Sequence, residues 1–159
     1  MSTFYETVYR SPTEAASALL EISVRCSYGK CTFCQLSDGM VPLQLASPQT
    51  ICDNLADLAE QGEAGQRLFL AGENVLAFQT RYLLDLFKLA KSYLPNIREF
   101  AMYDRADDIA HKSDKQLSQL QQAGLDTVCV GVESGNAQVL RWCRKGETPQ
   151  EIAAQLHRF

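Results

Sequence analysis

The chain has 159 residues, of which 46% are hydrophobic and 21% charged, and its formal net charge is −4 at pH 7. These values are typical of one soluble globular domain and exclude a low-complexity chain. The negative charge gives no sign of a surface for nucleic acid or an anionic membrane, and the basic cluster of Arg141, Arg144 and Lys145 is interpreted as a solvated helix face.

The N-terminal segment does not resemble a targeting signal. It has no basic region, and Glu14 and Glu21 interrupt its longest apolar stretch, which excludes a typical secretory signal. No later run approaches the roughly 18 apolar residues of a membrane span. We therefore expect a cytoplasmic protein, and in a reducing compartment clustered cysteines more often hold a metal or take part in catalysis than form disulfides.

Residues 1–19 are predicted to be an irregular arm and residues 20–159 a folded core. The core begins with a short β-branched strand, Leu20–Arg25, and a polar loop follows to Ala46. Ser47, which precedes a proline, is typical of the residue that caps the start of a helix. The first strand and this helix form one β/α unit.

Three further β/α units follow along the chain. Strands alternating with helices at this spacing predict an α/β fold with a parallel sheet, either a β/α barrel or an open sheet, and in both the ligands bind at the carboxyl ends of the strands. The predicted strands are Arg67–Ala71, Arg98–Tyr103 and Thr127–Val132, and the predicted helices are Thr80–Leu94, one after the capping box Ser113–Gln116, Asn136–Cys143 and one from Thr148 onward.

Polar or ligand-type residues follow each of the four predicted strands. Because the carboxyl ends of parallel strands meet at one edge of a sheet, these residues are expected to converge on one site. They are Cys26 after the first strand, Gly72, Glu73 and Asn74 after the second, Tyr103, Asp104 and Arg105 at the third, and Glu133 and Ser134 after the fourth.

The first of these strand ends carries three cysteines, Cys26, Cys31 and Cys34, with the spacing C-x4-C-x2-C. Thiolates brought together at short spacing are the ligands of iron–sulfur clusters. A structural zinc site needs a fourth ligand, and none is evident nearby, since His111 and His157 lie far along the chain and are interpreted as surface residues.

The same spacing also occurs in plant-type ferredoxins, which have a distant fourth cysteine. An electron-transfer protein with a two-iron cluster is therefore the alternative. Against it, Cys52 and Cys143 lie on predicted helices, and Cys129 lies in an apolar strand and is interpreted as a small core residue. Three thiolates without a fourth would leave one iron of a four-iron cluster open to a small molecule.

In this context the sequence resembles the radical S-adenosylmethionine (SAM) superfamily, in the branch of the tRNA methylthiotransferases and the oxygen-independent coproporphyrinogen oxidases. The resemblance runs from about Leu20 to the end of the chain. It is carried by CSYGKCTFC after the first strand, FLAGENVL after the second, YDRADDI after the third and VGVESGNAQVLRWCRKG from the fourth onward.

The resemblance implies a mechanism and a set of site residues. Cys26, Cys31 and Cys34 would hold a [4Fe–4S] cluster, whose open iron would bind SAM, and one electron would cleave SAM to a 5′-deoxyadenosyl radical. The remaining implied roles concern SAM itself: Phe33 against its adenine, Gly72 with Glu73 or alternatively Asn74 at its amino group, and Glu133 and Ser134 at its ribose or methionine part.

The resemblance also implies a partial (β/α) barrel of radical SAM type, of which four parallel units can be counted where the family has six. We therefore expect a fragment or truncated product of a longer protein that does not complete the SAM pocket alone, with a non-catalytic remnant as an alternative. The fourth strand would be an exposed edge of the sheet, and self-association is the alternative way to cover it. The expected partners are SAM, a substrate that the sequence does not identify, and a reducing electron donor such as flavodoxin or ferredoxin.

Overall fold

A computed structural model describes residues 10–34, 43–62 and 65–158; the first part of the predicted arm, residues 1–9, and part of the predicted polar loop, residues 35–42, lie outside them. The strands are β1 (Ala18–Glu21), β2 (Ser23–Val24), β3 (Gln44–Leu45), β4 (Arg67–Ala71), β5 (Glu99–Asp104) and β6 (Leu125–Val130). The helices are α1 (Pro48–Gln61), α2 (Thr80–Tyr93), α3 (Ala106–Ala110), α4 (Asp114–Gln122), α5 (Ala137–Trp142) and α6 (Pro149–Leu156).

The main sheet has four parallel strands in the order β1-β4-β5-β6, which is their order along the chain. A doubly wound open sheet would reverse this order at one point. The predicted α/β fold with four parallel β/α units in sequence is therefore confirmed. All four strands have their carboxyl ends at the same edge of the sheet.

The first predicted strand is divided in the structure. Residues Ala18–Glu21 pair with β4, whereas Ser23 and Val24 leave the sheet and form a two-stranded antiparallel ribbon with β3. Between them, the Ile22 N–H still donates to the carbonyl of Ala71 at 2.9 Å. This change of partner turns the chain away from the sheet just before the first cysteine.

The core lies between the sheet and the helices that follow its strands. On α2, Leu83, Leu86, Phe87 and Ala90 are buried in this core, and Phe87 stacks on Phe100 of β5 with ring centroids 4.0 Å apart. Three predicted helix starts are also confirmed: the Ser47 hydroxyl accepts from the Thr50 N–H at 3.0 Å, and Ser113 and Thr148 each form a capping box. The five-residue helix α3 was not predicted, because it is too short to show a period.

The strand β6 is one of the two edge strands of the main sheet within the described residues, and β1 is the other. Its apolar sequence predicts burial on both faces, but only Leu125 is buried and residues 127–130 are half-buried. The prediction of full burial is wrong, whereas the expected edge position is confirmed. None of the helices in the described part of the chain has the length and apolar character of a membrane span.

An ion cluster ties the arm to the sheet at the edge opposite the cysteines. Glu14, in a 3-10 turn before β1, is only 3% exposed, and its carboxylate accepts from the Arg67 guanidinium at 2.8 Å. Arg67 also pairs with Glu99 at 2.8 Å and Asp126 at 2.5 Å. The hydrogen bond from Arg67 lowers the pKa of Glu14, against the opposing effect of burial.

Replacing Arg67 with methionine is expected to lower the free energy of unfolding by about 2 kcal/mol, because it leaves the buried Glu14 carboxylate without its cation, while the partial exposure of Arg67 keeps the cost below that of a fully buried pair. Urea unfolding at neutral pH measures the change. Arg81→Met is the control, since its pair with Asp85 is exposed and 3.9 Å long. Equal losses in the two variants would contradict a stabilising role for the cluster.

Candidate functional site

The carboxyl ends of the strands enclose a cavity of about 360 Å³. Residues from the ends of β4, β5 and β6 line it together with the cysteine loop, which we define as residues 25–34. The structure thus brings together side chains that follow different strands in the sequence. The lining residues are Cys26, Cys31, Phe33, Cys34, Glu73, Tyr103, Asp104, Arg105, Cys129, Val130, Gly131, Glu133 and Lys145.

The three clustered cysteines all line this cavity. Cys31 is buried and the other two are half-buried, and the Tyr28 N–H lies 3.4 Å from the sulfur of Cys26. Burial raises the pKa of the Cys31 thiol, and the nearby positive charges of Lys145 and Arg105 oppose this rise. No three histidine, cysteine or carboxylate side chains of the described residues converge closely enough to hold a single metal ion.

The other three cysteines occupy different positions, and none of the six forms a disulfide in the described structure. Cys52 lies on α1, and Cys143 is buried after α5, where its thiol donates to the Val139 carbonyl at 2.7 Å. Cys129 is half-buried and lines the cavity beside its register partner Tyr103. The interpretation of Cys129 as a core residue is therefore wrong, because it lies near the carboxyl end of β6, where the strand borders the cavity.

Three of the residues implied at SAM line the cavity: Phe33, Glu73 and Glu133. Phe33 is 52% exposed at its rim. Glu133 has a left-handed backbone conformation with φ of 60°, and its carboxylate lies 3.6 Å from the ammonium of Lys145. These side chains offer an aromatic face and two carboxylates to a bound molecule.

The other implied residues, Gly72, Asn74 and Ser134, are not among the lining residues. A side chain at Gly72 would collide with the Ser23 hydroxyl, so this glycine lets the end of β4 approach β2 closely. The Ser134 hydroxyl accepts from the Asn136 N–H at 3.1 Å, just before α5. Both residues thus make contacts at the ends of the strands and do not line the cavity.

Asn74 is 2% exposed and contacts the cysteine loop directly. Its side-chain carbonyl accepts from the Ser27 N–H at 3.1 Å, and its amide nitrogen donates to the Ser27 hydroxyl at 2.6 Å. The same nitrogen donates to the Asp108 carboxylate at 3.1 Å. Asn74 therefore connects the end of β4 to the residue that follows the first cysteine.

A buried ionic group forms the wall of the cavity beside the cysteine loop. The Arg105 guanidinium stacks on the Tyr28 ring at 3.7 Å from its centroid and lies 3.3 Å from the Glu147 carboxylate. It also donates to the Lys145 carbonyl at 3.0 Å. The Lys145 ammonium lies 3.7 Å from the same Glu147 carboxylate.

The burial of Lys145, which is 4% exposed, overturns its interpretation as part of a solvated helix face; Arg141 and Arg144 are exposed as expected. The reason is that α5 ends at Trp142, and left-handed residues at Arg144 and Gly146 turn the chain back toward the cavity. The glycine that follows Lys145 was the available signal in the sequence.

The cysteine loop packs on this same turn after α5. The Tyr28 hydroxyl donates to the Arg144 carbonyl at 2.8 Å, and the Thr32 N–H donates to the Cys143 carbonyl at 3.0 Å. Gly146 lies so close to the Tyr28 ring that a side chain there would collide with it. The loop is thus held by residues from the end of the described chain.

Asp104 is a fully buried acid at the end of β5. Its carboxyl oxygens accept from the Leu76 N–H at 2.7 Å and the Arg105 N–H at 3.2 Å. Burial raises the pKa of Asp104 well above its usual range, more than these backbone hydrogen bonds lower it. Burial thus favours the protonated form of Asp104 over the carboxylate.

The composition of the cavity fits an anionic metal cluster with a small organic ligand. Three thiols supply sulfur ligands, while Arg105 and Lys145 supply positive charge close to them. The carboxylates of Glu73 and Glu133 can accept charge-assisted hydrogen bonds from an ammonium or a hydroxyl group.

The family model of the Radical SAM superfamily matches residues 20–159 of the chain. No protein in the search of curated proteins matches it.

Several solved structures are similar in fold. The cobalamin-dependent S-adenosylmethionine radical enzyme OxsB, with aqua-cobalamin and S-adenosylmethionine bound, has a TM-score of 0.69 and 22% identity over 89% of this chain and 22% of that chain. The radical S-adenosylmethionine methyltransferase TsrM from Kitasatospora setae, with cobalamin and a [4Fe–4S] cluster bound, has a TM-score of 0.65 and 17% identity over 89% of this chain and 28% of that chain. The chain thus spans between a fifth and a third of the length of these proteins.

Proposed function

Because the chain belongs to the radical SAM superfamily, we propose that Cys26, Cys31 and Cys34 hold a [4Fe–4S] cluster at which SAM is bound and cleaved. A [4Fe–4S] cluster and SAM are the cofactors of this superfamily. When bound, the cluster supplies one electron that splits SAM into methionine and a 5′-deoxyadenosyl radical, which takes a hydrogen atom from a substrate.

The observation that carries the proposal is the placement of all three thiols on one cavity at the carboxyl ends of the strands. They share this cavity with the charged side chains of Glu73, Glu133 and Lys145, which come from two other strand ends and from the turn after α5. A plain electron carrier has no need of such a lined cavity next to its ligands.

The side chains around the thiols have distinct roles in this proposal. Glu73 accepts hydrogen bonds from the ammonium group of SAM, and Glu133 accepts from its hydroxyl groups. Phe33 lies against the adenine at the rim of the cavity. Arg105 and Lys145 offset the negative charge that three thiolates bring into a half-buried site.

The proposal includes two further partners. One is a reducing electron donor such as flavodoxin or ferredoxin, because the cleavage of SAM consumes an electron that no side chain of the cavity supplies. The other is the substrate, from which the radical takes a hydrogen atom. A reducing compartment such as the cytoplasm belongs to the same proposal, since the three thiols must stay reduced to bind iron.

The exposed edge of β6 is the proposed surface for self-association. It presents unpaired backbone groups within the described residues, and such an edge is a template for pairing with another strand. Size-exclusion chromatography with light scattering tests this part separately, with a dimer expected.

Anaerobic reconstitution with iron and sulfide tests the main proposal. The expected result is a four-iron spectrum by electron paramagnetic resonance that shifts when SAM is added, followed by release of 5′-deoxyadenosine in the presence of dithionite. A two-iron spectrum that ignores SAM would instead support an electron-transfer protein. A four-iron spectrum that shifts with SAM but releases no 5′-deoxyadenosine would identify a non-catalytic cofactor-binding chain.

A further inference from the structure

We propose that Asn74 and Asp108 form a clamp that positions the cysteine loop at Ser27, and that Asn74 has no contact with SAM. The inference rests on the proposed cluster site and concerns how that site is held. Of the two neighbours, Glu73 faces the cavity, whereas Asn74 does not line it and contacts the cysteine loop.

Each hydrogen-bonding group of the Asn74 side-chain amide has a partner. A neutral amide has two N–H donors and one carbonyl acceptor. In Asn74 the donors point to the Ser27 hydroxyl at 2.6 Å and the Asp108 carboxylate at 3.1 Å, and the carbonyl accepts from the Ser27 N–H at 3.1 Å. With the side chain 2% exposed, Asn74 has no donor left for a molecule in the cavity.

The orientation of that amide is set by Asp108 on one side and Ser27 on the other. Asp108 is buried on α3, and its Oδ2 accepts from the Asn74 nitrogen at 3.1 Å. It therefore attracts the nitrogen end of the amide and leaves the oxygen end facing the Ser27 N–H. If the amide turned over, two acceptors would meet at Asp108 and two donors would meet at Ser27.

The position of Ser27 also affects the surroundings of the Cys26 sulfur. Ser27 stands between Cys26 and Tyr28, and the Tyr28 N–H lies 3.4 Å from the Cys26 sulfur. Fixing the backbone of Ser27 at both its N–H and its hydroxyl also fixes the direction of the next N–H. Hydrogen bonds to the ligand sulfurs are among the factors that set the reduction potential of an iron–sulfur cluster. Asn74 is thus a positioning residue for the Cys26 thiolate.

The test compares Asn74→Ala with Asn136→Ala, which removes the same side chain at the start of α5, where it accepts from the Gln138 N–H at 2.8 Å. In the metal-free protein, the Ser27 amide is expected to exchange its hydrogen at least tenfold faster in Asn74→Ala and at the wild-type rate in Asn136→Ala. Asp108→Asn should reproduce the faster exchange, because the amide loses the partner that orients it.

The same variants are then reconstituted. Asn74→Ala is expected to change the ratio of reduced to oxidised cluster at a fixed potential about tenfold, with the dissociation constant of SAM unchanged within twofold. Glu73→Gln should do the opposite and weaken SAM binding at least tenfold at an unchanged potential. Weaker SAM binding in Asn74→Ala, or wild-type exchange and potential in that variant, would overturn the inference.

Two features keep the outcome decisive. Ser27→Ala removes only a hydroxyl from an exposed residue, so it tests the clamp by amide exchange even if Asn74→Ala does not fold. The exchange measurement needs no cluster. If the wild-type chain fails to take up iron, the proposed function fails while the clamp is still tested.

Discussion

Replacing Cys26, Cys31 or Cys34 with alanine is expected to abolish retention of the [4Fe–4S] cluster. All three side chains line one cavity. The cysteine loop, residues 25–34, contains no further cysteine that could replace a lost ligand. Iron and sulfide analysis after anaerobic reconstitution and desalting measures the effect, and the four-iron spectrum should disappear in each variant.

Cys129→Ala is the demanding control, since Cys129 lines the same cavity but lies on β6. Cys129 stands outside the C-x4-C-x2-C run of residues 26–34 that supplies the three proposed ligands. Cys129→Ala and Cys52→Ala are therefore expected to keep the full iron content. Loss of iron in Cys129→Ala together with its retention in Cys34→Ala would overturn the ligand assignment.

Replacing Arg105 with methionine is expected to lower the free energy of unfolding by about 4 kcal/mol, within the range measured when one partner of a buried ion pair is removed. The change removes the nearer of the two cations beside the buried Glu147 carboxylate, the stacking on Tyr28 and a hydrogen bond to the Lys145 carbonyl, while Lys145 stays 3.7 Å from that carboxylate. Because many domains have a total stability of only about 5–15 kcal/mol, the variant should unfold at much lower urea concentration.

Arg141→Met is the matched control, because Arg141 is exposed on α5. Its unfolding free energy is expected to stay within about 0.5 kcal/mol of the wild-type value, as for most surface substitutions. Circular dichroism during urea titration follows both variants. If Arg105→Met is as stable as Arg141→Met, the buried ionic group contributes nothing to the fold.

The strand and helix positions were largely predictable from local patterns. The strand β4 has the predicted bounds, Arg67–Ala71, and the helix starts at Ser47, Ser113 and Thr148 follow from side chains that cap their own helices. Such signals depend on residues close in sequence. The ribbon of β2 and β3 was not predictable, since Gln44–Leu45 is two residues long and exposed and has no pattern of its own.

The site was predictable in outline for a different reason. The spacing of the three cysteines is fixed by the sequence itself. Because parallel strands have their carboxyl ends at one edge of the sheet, Glu73 and Glu133 are expected at the same edge. The partners of these residues were not predictable, because they depend on contacts between distant segments. Arg105 reaches Tyr28 only after two strands and a loop have been arranged around the cavity.

The hydrogen bond between Tyr28 and Arg144 joins residues 116 positions apart, which has a consequence for the order of biosynthesis. A ribosome that adds about 5–20 residues per second needs roughly 6 to 23 seconds to pass from one to the other. During that interval the three thiols have been made, but the turn on which their loop packs has not. A nascent chain therefore presents these cysteines to oxidants and other metal ions, and insertion of the proposed cluster belongs after β6 and α5 have been translated.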